Sequence, residues 1–190
     1  MITAEVIRYL NTITEFKEDE LQIIEPFLQD KTMQKGETLL EEGQICDDIY
    51  LVLSGVLRNY YNNNGTPVNL SFTFANQCTT NFEAYINREP SKIIIEALEK
   101  SRIVVIKSKL LRRQNKSIDS VATFIRRLAI RILLATEEHH NMMMMKQPSD
   151  RYQYVLEKKP ELIQKVSLTH LSSYLGMSRE TLSRIRSNKY

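Results

Sequence analysis

The sequence predicts an α+β fold in three consecutive parts: a small antiparallel barrel or jelly roll, a long helix and a compact helical unit. Three observations predict it. Short β-rich runs separated by turn residues fill residues 38–106, and an apolar repeat with neither Gly nor Pro fills residues 109–147. A glycine turn between two capped helices lies near the C-terminus, and residues 2–29 also have helical spacing.

The β-rich part contains six short runs rich in Val, Ile, Leu, Tyr and Phe. They cover residues 38–40, 49–53, 56–61, 68–74, 93–95 and 103–106. The tract Asn62-Asn63-Asn64-Gly65 is the strongest turn signal, because Asn-Gly between β-rich runs favours a tight hairpin. Many short strands with turns between them are typical of an antiparallel barrel or jelly roll.

The long helix carries a seam of residues at alternating spacings of three and four. The seam comprises Ile118, Val121, Ile125, Leu128, Ile132, Ala135 and His139. A lone helix cannot bury such a stripe, so we expect a second copy of the chain to cover it in a homodimer. The alternative is that the stripe packs only on its own barrel. We expect part of the other face, Phe124, Leu133 and Leu134, to pack there.

The positive charge of the chain is concentrated in its last quarter. The net charge is +3, and residues 147–190 hold eight Lys and Arg against four Asp and Glu. This segment therefore carries +4 and the rest of the chain −1. Such asymmetry fits a polyanion-binding unit on a neutral body, although an ordinary solvated basic face has the same composition.

Residues 167–187 have the features of two short helices joined by a tight turn. Ser167 or Thr169 can cap the first helix, and Ser178 can cap the second. Gly176 supplies the positive φ that a tight turn after a helix demands. These features predict a helix-turn-helix.

The exposed face of the second helix is predicted to carry Arg179, Glu180 and Arg184. Arg can donate two hydrogen bonds to guanine in the major groove, and Glu can accept one from cytosine. Such charges also occur on ordinary solvated helices. In combination with the capped helices, the basic bias and the dimer seam, they predict DNA binding.

The chain resembles the cyclic-AMP receptor protein/fumarate-nitrate regulator (Crp/Fnr) family of bacterial transcription regulators along nearly its whole length. Residues 175–185, Leu-Gly-Met-Ser-Arg-Glu-Thr-Leu-Ser-Arg-Ile, are similar to the family's recognition segment. Lys35-Gly36-Glu37, Glu42-Gly43 and Tyr50-Leu51-Val52-Leu53-Ser54-Gly55-Val56 are similar to its β-roll opening. The resemblance implies an N-terminal double-stranded β-roll (1–112), a dimerisation helix (113–147) and a winged helix-turn-helix (148–190).

The resemblance also implies roles for particular residues. Arg179, Glu180 and Arg184 fall at the family's base-reading positions. The positions that contact phosphates are Ser167, Thr169, Ser178 and Thr181. The implied partner is double-stranded DNA with two-fold symmetric half-sites about one helical turn apart. RNA polymerase is left open as a further partner, and the absence of a signal peptide pattern at the N-terminus predicts a cytoplasmic protein.

The expected effector pocket departs from the members that bind cyclic AMP. Those members have a Gly-Glu pair and an Arg before Ser or Thr, whereas this chain has Thr79-Thr80-Asn81-Phe82-Glu83 and Pro90-Ser91-Lys92. Asn81, Phe82, Ser91 and Lys92 would line the pocket. Without a guanidinium, we do not expect cyclic AMP to bind in the usual way, and the effector is open.

Other functional classes have little support in the sequence. Residues 31–107 contain no histidine, the two cysteines are too few for a four-cysteine cluster, and neither a nucleophile motif nor a phosphate loop is present. We therefore expect no enzyme, no metal and no cofactor, and Cys46 and Cys78 to be reduced, buried thiols. The alternative is a dimeric small-molecule or protein-interaction sensor that has lost specific DNA binding.

Overall fold

A computed structural model of the chain describes residues 4–108, 119–145 and 147–187. The helices among them are α1 (Ala4–Ile13), α2 (Glu18–Ile24), α3 (Phe82–Asn87), α4 (Asp119–Met143), α5 (Pro148–Lys158), α6 (Pro160–Lys165), α7 (Leu168–Tyr174) and α8 (Arg179–Ser187). The strands are β1 (Leu28–Met33), β2 (Thr38–Leu40), β3 (Ile49–Ser54), β4 (Leu57–Asn63), β5 (Thr66–Thr73), β6 (Gln77–Thr79), β7 (Ile94–Ala97) and β8 (Ser101–Ile106). A 3-10 turn, Glu25–Phe27, links α2 to β1.

The strands of the described residues form two four-stranded antiparallel sheets, with orders β1-β8-β3-β6 and β2-β7-β4-β5. The α+β prediction and the six predicted strand runs are confirmed. The sequence reasoning missed β1, whose first two residues it placed in the helical range 2–29, and also β6 and α3. Both β6 and α3 are too short to show a period.

The hairpin between β4 and β5 turns at Asn64 and Gly65, as the Asn-Gly pair predicted. Their φ angles are +51° and +87°, so both central positions have the left-handed backbone of a type I′ turn. The backbone N–H of Gly65 donates to Asn62 Oδ1 at 2.8 Å, which closes the loop. The hairpin places β5 at the edge of its sheet.

The two central strands of the first sheet, β3 and β8, are buried on both faces, and helices lie over the outer side. Ile49, Leu51 and Val52 of the central strand β3 are fully buried. The main core joins this sheet to side chains of α1 and α4. Arg127 and Arg131 of α4 donate to the carbonyl oxygens of Ile13 and Thr12 at 2.6 and 3.0 Å, respectively. Cations at the C-terminal end of α1 satisfy its last carbonyls and oppose its dipole.

Several residues of the predicted dimer seam on α4 pack against the chain's own core. Leu128 is only 2% exposed and lies in the chain's own core, and Val121, Ile125 and Ile132 pack against the same core. Ala135 is exposed, the His139 ring stacks on Tyr174, and Ile118 lies outside the described residues. The heptad stripe is thus largely the face that α4 turns to its own β-roll.

The apolar residues of α4 that remain exposed to solvent lie on a different face of the helix. Of the residues expected to pack on the barrel, Phe124 does so, but Leu133 and Leu134 are 64% and 57% exposed. With Ile130, which is 49% exposed, they form an apolar stripe at i, i+3 and i+4. A periodic pattern identifies an apolar stripe but not which neighbour covers it.

Helices α5–α8 share an apolar cluster with the roll, and α7 packs against the edge strand β5. A second apolar cluster contains Val56 and Phe74 of the roll, Met142 of α4, and Tyr152, Val155, Leu162, Val166, Leu171, Tyr174, Leu175 and Leu182 of the C-terminal helices. The Phe72 and Tyr174 rings meet edge to face at 5.6 Å. The C-terminal unit is therefore docked on the roll through a shared core.

Candidate DNA interface

Helices α7 and α8 and the turn between them have the local geometry of a helix-turn-helix. Ser167 Oγ accepts a hydrogen bond from the His170 N–H at 3.3 Å and is the N-cap of α7. Ser178 Oγ accepts from the Thr181 N–H at 3.1 Å at the start of α8. Gly176 has a φ of +61°, as predicted for the turn. Side-chain caps of this kind satisfy N–H groups that the helix leaves unpaired.

Buried leucines fix the angle between the two helices. Leu171 and Leu175 of the first helix and its turn, and Leu182 of α8, are at most 1% exposed. From outside the motif, Arg151 Nη2 donates to the Gly176 carbonyl at 3.4 Å, and its Nη1 donates to the Met145 carbonyl at 3.3 Å. Arg151 thus connects the segment that follows α4 to the turn.

The outward face of α8 carries the predicted base-reading residues. Arg179, Glu180 and Arg184 are all exposed, and Glu180 and Arg184 share one face at i, i+4. The pKa of the Glu180 carboxyl lies below its ordinary value because the carboxylate accepts from its own backbone N–H. The Ser178 hydroxyl and the guanidinium groups of Arg179 and Arg184 also lower this pKa, so the carboxylate is ionised at neutral pH.

The predicted phosphate-contacting residues surround this face. Ser167, Thr169 and Ser178 are exposed and Thr181 is half-buried. The Ser178 hydroxyl donates to Thr181 Oγ1 at 3.1 Å, so the Thr181 hydroxyl is the acceptor and its own proton is not used in this bond. The hydroxyl of Ser167, which accepts the cap bond, keeps its own proton for an outside acceptor.

The predicted wing has no counterpart in residues 147–187, which contain helices and turns but no strand. The helix N-terminal to the motif begins at Pro148 with Gln147 as its N-cap, so Ser149 and Asp150 lie in its first turn. Proline is well suited to the first helical position, since its missing N–H would be unpaired there.

The four predicted effector-pocket residues all have partners within the roll. Asn81 Nδ2 donates to Ser91 Oγ at 2.9 Å, and Asn81 Oδ1 caps α3 by accepting from the Ala84 N–H. Lys92 makes an exposed ion pair with Glu83 at 3.1 Å. Phe82 stacks edge to face on Tyr85. This arrangement presents no guanidinium to a cyclic phosphate.

Two further findings concern metals and membranes. Over residues 4–108, 119–145 and 147–187, no three His, Cys, Asp or Glu side chains cluster as metal ligands would. Within the same ranges, no helix combines the length and apolarity needed to cross a bilayer.

The sequence reasoning missed a polar contact between the roll and α7. Arg58 Nη1 lies 3.2 Å from His170 Nδ1, and its Nη2 pairs with Glu96 at 3.1 Å. The Ser173 hydroxyl bonds to β5. No local pattern signals such a contact, because its members are separated by up to 112 positions along the chain.

Comparisons with known proteins agree with this architecture. Residues 30–116 match the family model of the cyclic nucleotide-binding domain. FixK2 from Bradyrhizobium japonicum is similar in structure, with a TM-score of 0.71, 19% identity, and coverage of 85% of this chain and 83% of that chain. No curated protein sequence matches the chain.

Two regulators are also similar in structure. The global regulator CLP from Xanthomonas campestris, described as responsive to c-di-GMP, has a TM-score of 0.69 and 16% identity, over 86% of this chain and 87% of that one. A Crp/Fnr-family transcriptional regulator from Thermus thermophilus has a TM-score of 0.65 and 16% identity, over 84% of each chain. The chain therefore has the Crp/Fnr fold, with a β-roll of the cyclic nucleotide-binding type, as the sequence resemblance implied.

Proposed function

We propose that this chain is a transcription regulator that binds an inverted-repeat DNA site as a homodimer. The observation that carries the proposal is the exposed face of α8. The guanidinium groups of Arg179 and Arg184 and the carboxylate of Glu180 are exposed, whereas Leu182 of the same helix is buried. A helix with this division of faces fits the major groove, which admits an α-helix and presents a distinct pattern for each base pair.

In this function, Arg179, Glu180 and Arg184 read base edges, and the hydroxyls around them contact phosphates. Ser167 and Thr169 lie at the start of the first helix, and Ser178 and Thr181 at the start of the second. Hydroxyl donors at these places position the motif on the backbone, and the base-reading side chains supply the specificity.

The exposed stripe of α4 supplies the dimer contact. Ile130, Leu133 and Leu134 are large apolar side chains that stay exposed in the single chain. A two-fold axis across this stripe brings the same residues of two copies together, as an isologous interface requires. Two recognition helices held by one axis match the two half-sites of an inverted repeat.

The β-roll in this proposal does not bind cyclic AMP in the usual way. Asn81 and Ser91 bond to each other, and the nearby cation, Lys92, is paired with Glu83. A charged cyclic phosphate is best held by a bidentate guanidinium together with backbone N–H groups. Calorimetric titration with cyclic AMP is expected to give no heat of micromolar binding, and micromolar affinity would contradict this part of the proposal.

The DNA function is tested by selecting sites from a random duplex pool with the purified full chain. Selected sites are expected to be inverted repeats. On the selected site, Arg184→Ala should weaken the free energy of DNA binding by about 1–3 kcal/mol. It should also relax the sequence preference at one base pair of each half-site. Fluorescence anisotropy measures the affinity.

The matched control is Arg8→Ala, which removes the same charge from an exposed position on α1. It should leave the affinity nearly unchanged. Equal losses for the two variants, or a pool that yields no enriched sequence, would contradict the proposal and favour a sensor module without specific DNA binding.

A further inference from the structure

The edge strand of the β-roll is covered by the first helix of the helix-turn-helix rather than by another strand. The Ser173 hydroxyl accepts a hydrogen bond from the Asn69 N–H at 3.0 Å and donates one to the Pro67 carbonyl at 3.1 Å. One hydroxyl therefore satisfies both a donor and an acceptor on the outer edge of β5. Unpaired edge groups of this kind are a liability that folded proteins cover or blunt.

A buried ion pair lies beside this edge. Arg58 of β4 is 7% exposed, and its Nη2 donates to both carboxylate oxygens of Glu96 at 3.3 and 3.1 Å. Tyr60 donates its hydroxyl to the same carboxylate at 3.1 Å, and the guanidinium stacks 3.9 Å from the centre of the Tyr60 ring. The pair is formed across directly opposed residues of β4 and β7.

The same guanidinium reaches the helix-turn-helix. Arg58 Nη1 lies 3.2 Å from His170 Nδ1, and because a guanidinium only donates, Nδ1 accepts and this nitrogen carries no proton. Asn69 Nδ2 donates to the His170 carbonyl at 3.1 Å, and Asn69 Oδ1 accepts from Arg58 at 3.4 Å. We call this set of side chains the polar latch: Arg58, Asn69 and Glu96 of the roll, and His170 and Ser173 of α7.

The latch leaves the DNA-facing groups free. His170 and Ser173 point to the roll, whereas Ser167 and Thr169 at the start of the same helix remain exposed. The latch therefore holds the motif at one angle without covering it. Polar groups within an otherwise apolar interface favour one arrangement over sliding alternatives, since any other register leaves a buried charge unpaired.

The latch is also connected to the interior of the roll. Asn59 follows Arg58 on β4 and, with the alternation of a strand, faces inward, where its Nδ2 donates to Thr79 Oγ1 at 2.8 Å. Thr79 precedes Thr80 and Asn81, which lead into the effector-like pocket. Asn59 and Thr79 thus link those residues to the strand that holds the Arg58 guanidinium.

We propose that the polar latch sets the orientation of the recognition helices and transmits changes from the roll interior to them. This inference deepens the proposed DNA function and, for its regulatory part, rests on it. The docked arrangement is the DNA-binding one, because the reading face is exposed in it. When the contacts of the polar latch are broken, the helix-turn-helix no longer has a fixed orientation on the roll. The fraction of dimers that can bind both half-sites then falls.

The test uses the full chain and reads the latch without DNA, through hydrogen exchange of the Asn69 amide. Glu96→Gln removes the charge that pairs with Arg58 and leaves the Asn69–Ser173 bond itself untouched. We expect the Asn69 amide to exchange at least about tenfold faster, since removing one partner of a buried pair destabilises the arrangement around it. Thr79→Val, inside the roll, should also accelerate this amide. Asp30→Asn breaks the exposed Asp30–Arg102 pair on the other sheet and is the control.

DNA affinity is then measured for Ser173→Ala, which alters neither the roll nor the reading face. We expect binding to weaken about threefold to tenfold in proportion to the lost docked fraction. If Asn69 in Glu96→Gln exchanges as slowly as in Asp30→Asn, the latch does not hold the domains. If it exchanges faster but Ser173→Ala binds DNA like the parent chain, the regulatory role is wrong. A parent chain that binds no DNA while exchange still responds would refute the proposed function and leave the domain latch supported.

Discussion

Acidification is expected to weaken the contact between α4 and the helix-turn-helix through His139. The imidazole stacks on the Tyr174 ring with centroids 4.3 Å apart, and its Nδ1 is buried with no hydrogen-bond partner among the described residues. The pKa of His139 is lowered to about 4, mainly by burial and also by the nearby Lys159 ammonium, whereas Glu138 opposes the shift. The folded chain therefore strongly prefers the neutral ring.

Acid destabilises the folded chain because the unfolded chain binds this proton more tightly. The unfolded chain takes up the proton near pH 6.5 and the folded chain only near pH 4. The contribution of neutral His139 to the free energy of unfolding is therefore fully present above pH 6.5 and is lost as the pH falls from 6.5 to 4. With the full pKa shift, the free energy of unfolding falls by about 1.8 kcal/mol between pH 7 and pH 5. Because solvent reaches part of the ring, we expect a loss of about 1–2 kcal/mol.

Urea denaturation at pH 7 and pH 5 measures this loss. His139→Phe keeps a ring to stack on Tyr174 but cannot titrate, so the free energy of unfolding of this variant should fall by about 1–2 kcal/mol less than that of the parent chain. His140→Phe, at the neighbouring position, is the control and should behave like the parent. The reasoning is refuted if His139→Phe loses as much stability on acidification as the parent chain does, or if the His139 ring titrates near pH 6.5 by NMR.

Three further outcomes are expected. Gly176→Ala should destabilise the helix-turn-helix by about 1–2 kcal/mol in thermal denaturation, because φ is +61° and the new Cβ would lie 2.5 Å from Met143 Cε; an unchanged melting temperature would contradict this. Leu134→Glu should shift the sedimentation equilibrium from dimer to monomer, whereas Ile86→Glu, similarly exposed on α3, should not; a dimer that survives the first change places the interface elsewhere. The Cys46 thiol, 1% exposed and with its pKa raised mainly by burial, should resist alkylation at pH 8 until the chain is unfolded, and rapid labelling of the folded chain would argue against a buried thiol.

Much of the local structure could be predicted because it depends on neighbours in the sequence. The Asn64-Gly65 turn, the Ser178 cap and the positive φ of Gly176 each follow from the conformational preferences of one or two residues. The reading face of α8 follows from helical periodicity, with Leu182 buried and Arg184 exposed. The strands of the roll were found where β-rich runs stand between turn residues.

The face of α4 could not be predicted, because periodicity locates an apolar stripe without naming its partner. Leu128 and Leu134 lie on different sides of the helix and are equally apolar, yet the first packs on the roll and the second is exposed. The short strand β6 and helix α3 were missed since three to six residues carry no period. Pocket residues such as Asn81 and Ser91 were grouped by resemblance, but their mutual hydrogen bond is a product of the folded chain.

The sequence by itself determined the order of the three parts of the chain, the tight turns, the caps of the two helix-turn-helix helices and the charged face of the last helix. These depend on backbone preferences and on side chains within a few positions of one another. Only the tertiary structure decided which face of α4 remains open and how the helix-turn-helix is held against the roll. The contacts of Ser173 with the edge of β5 and of Arg58 with His170 join residues about a hundred positions apart. These contacts form only when the helix-turn-helix is packed on the roll.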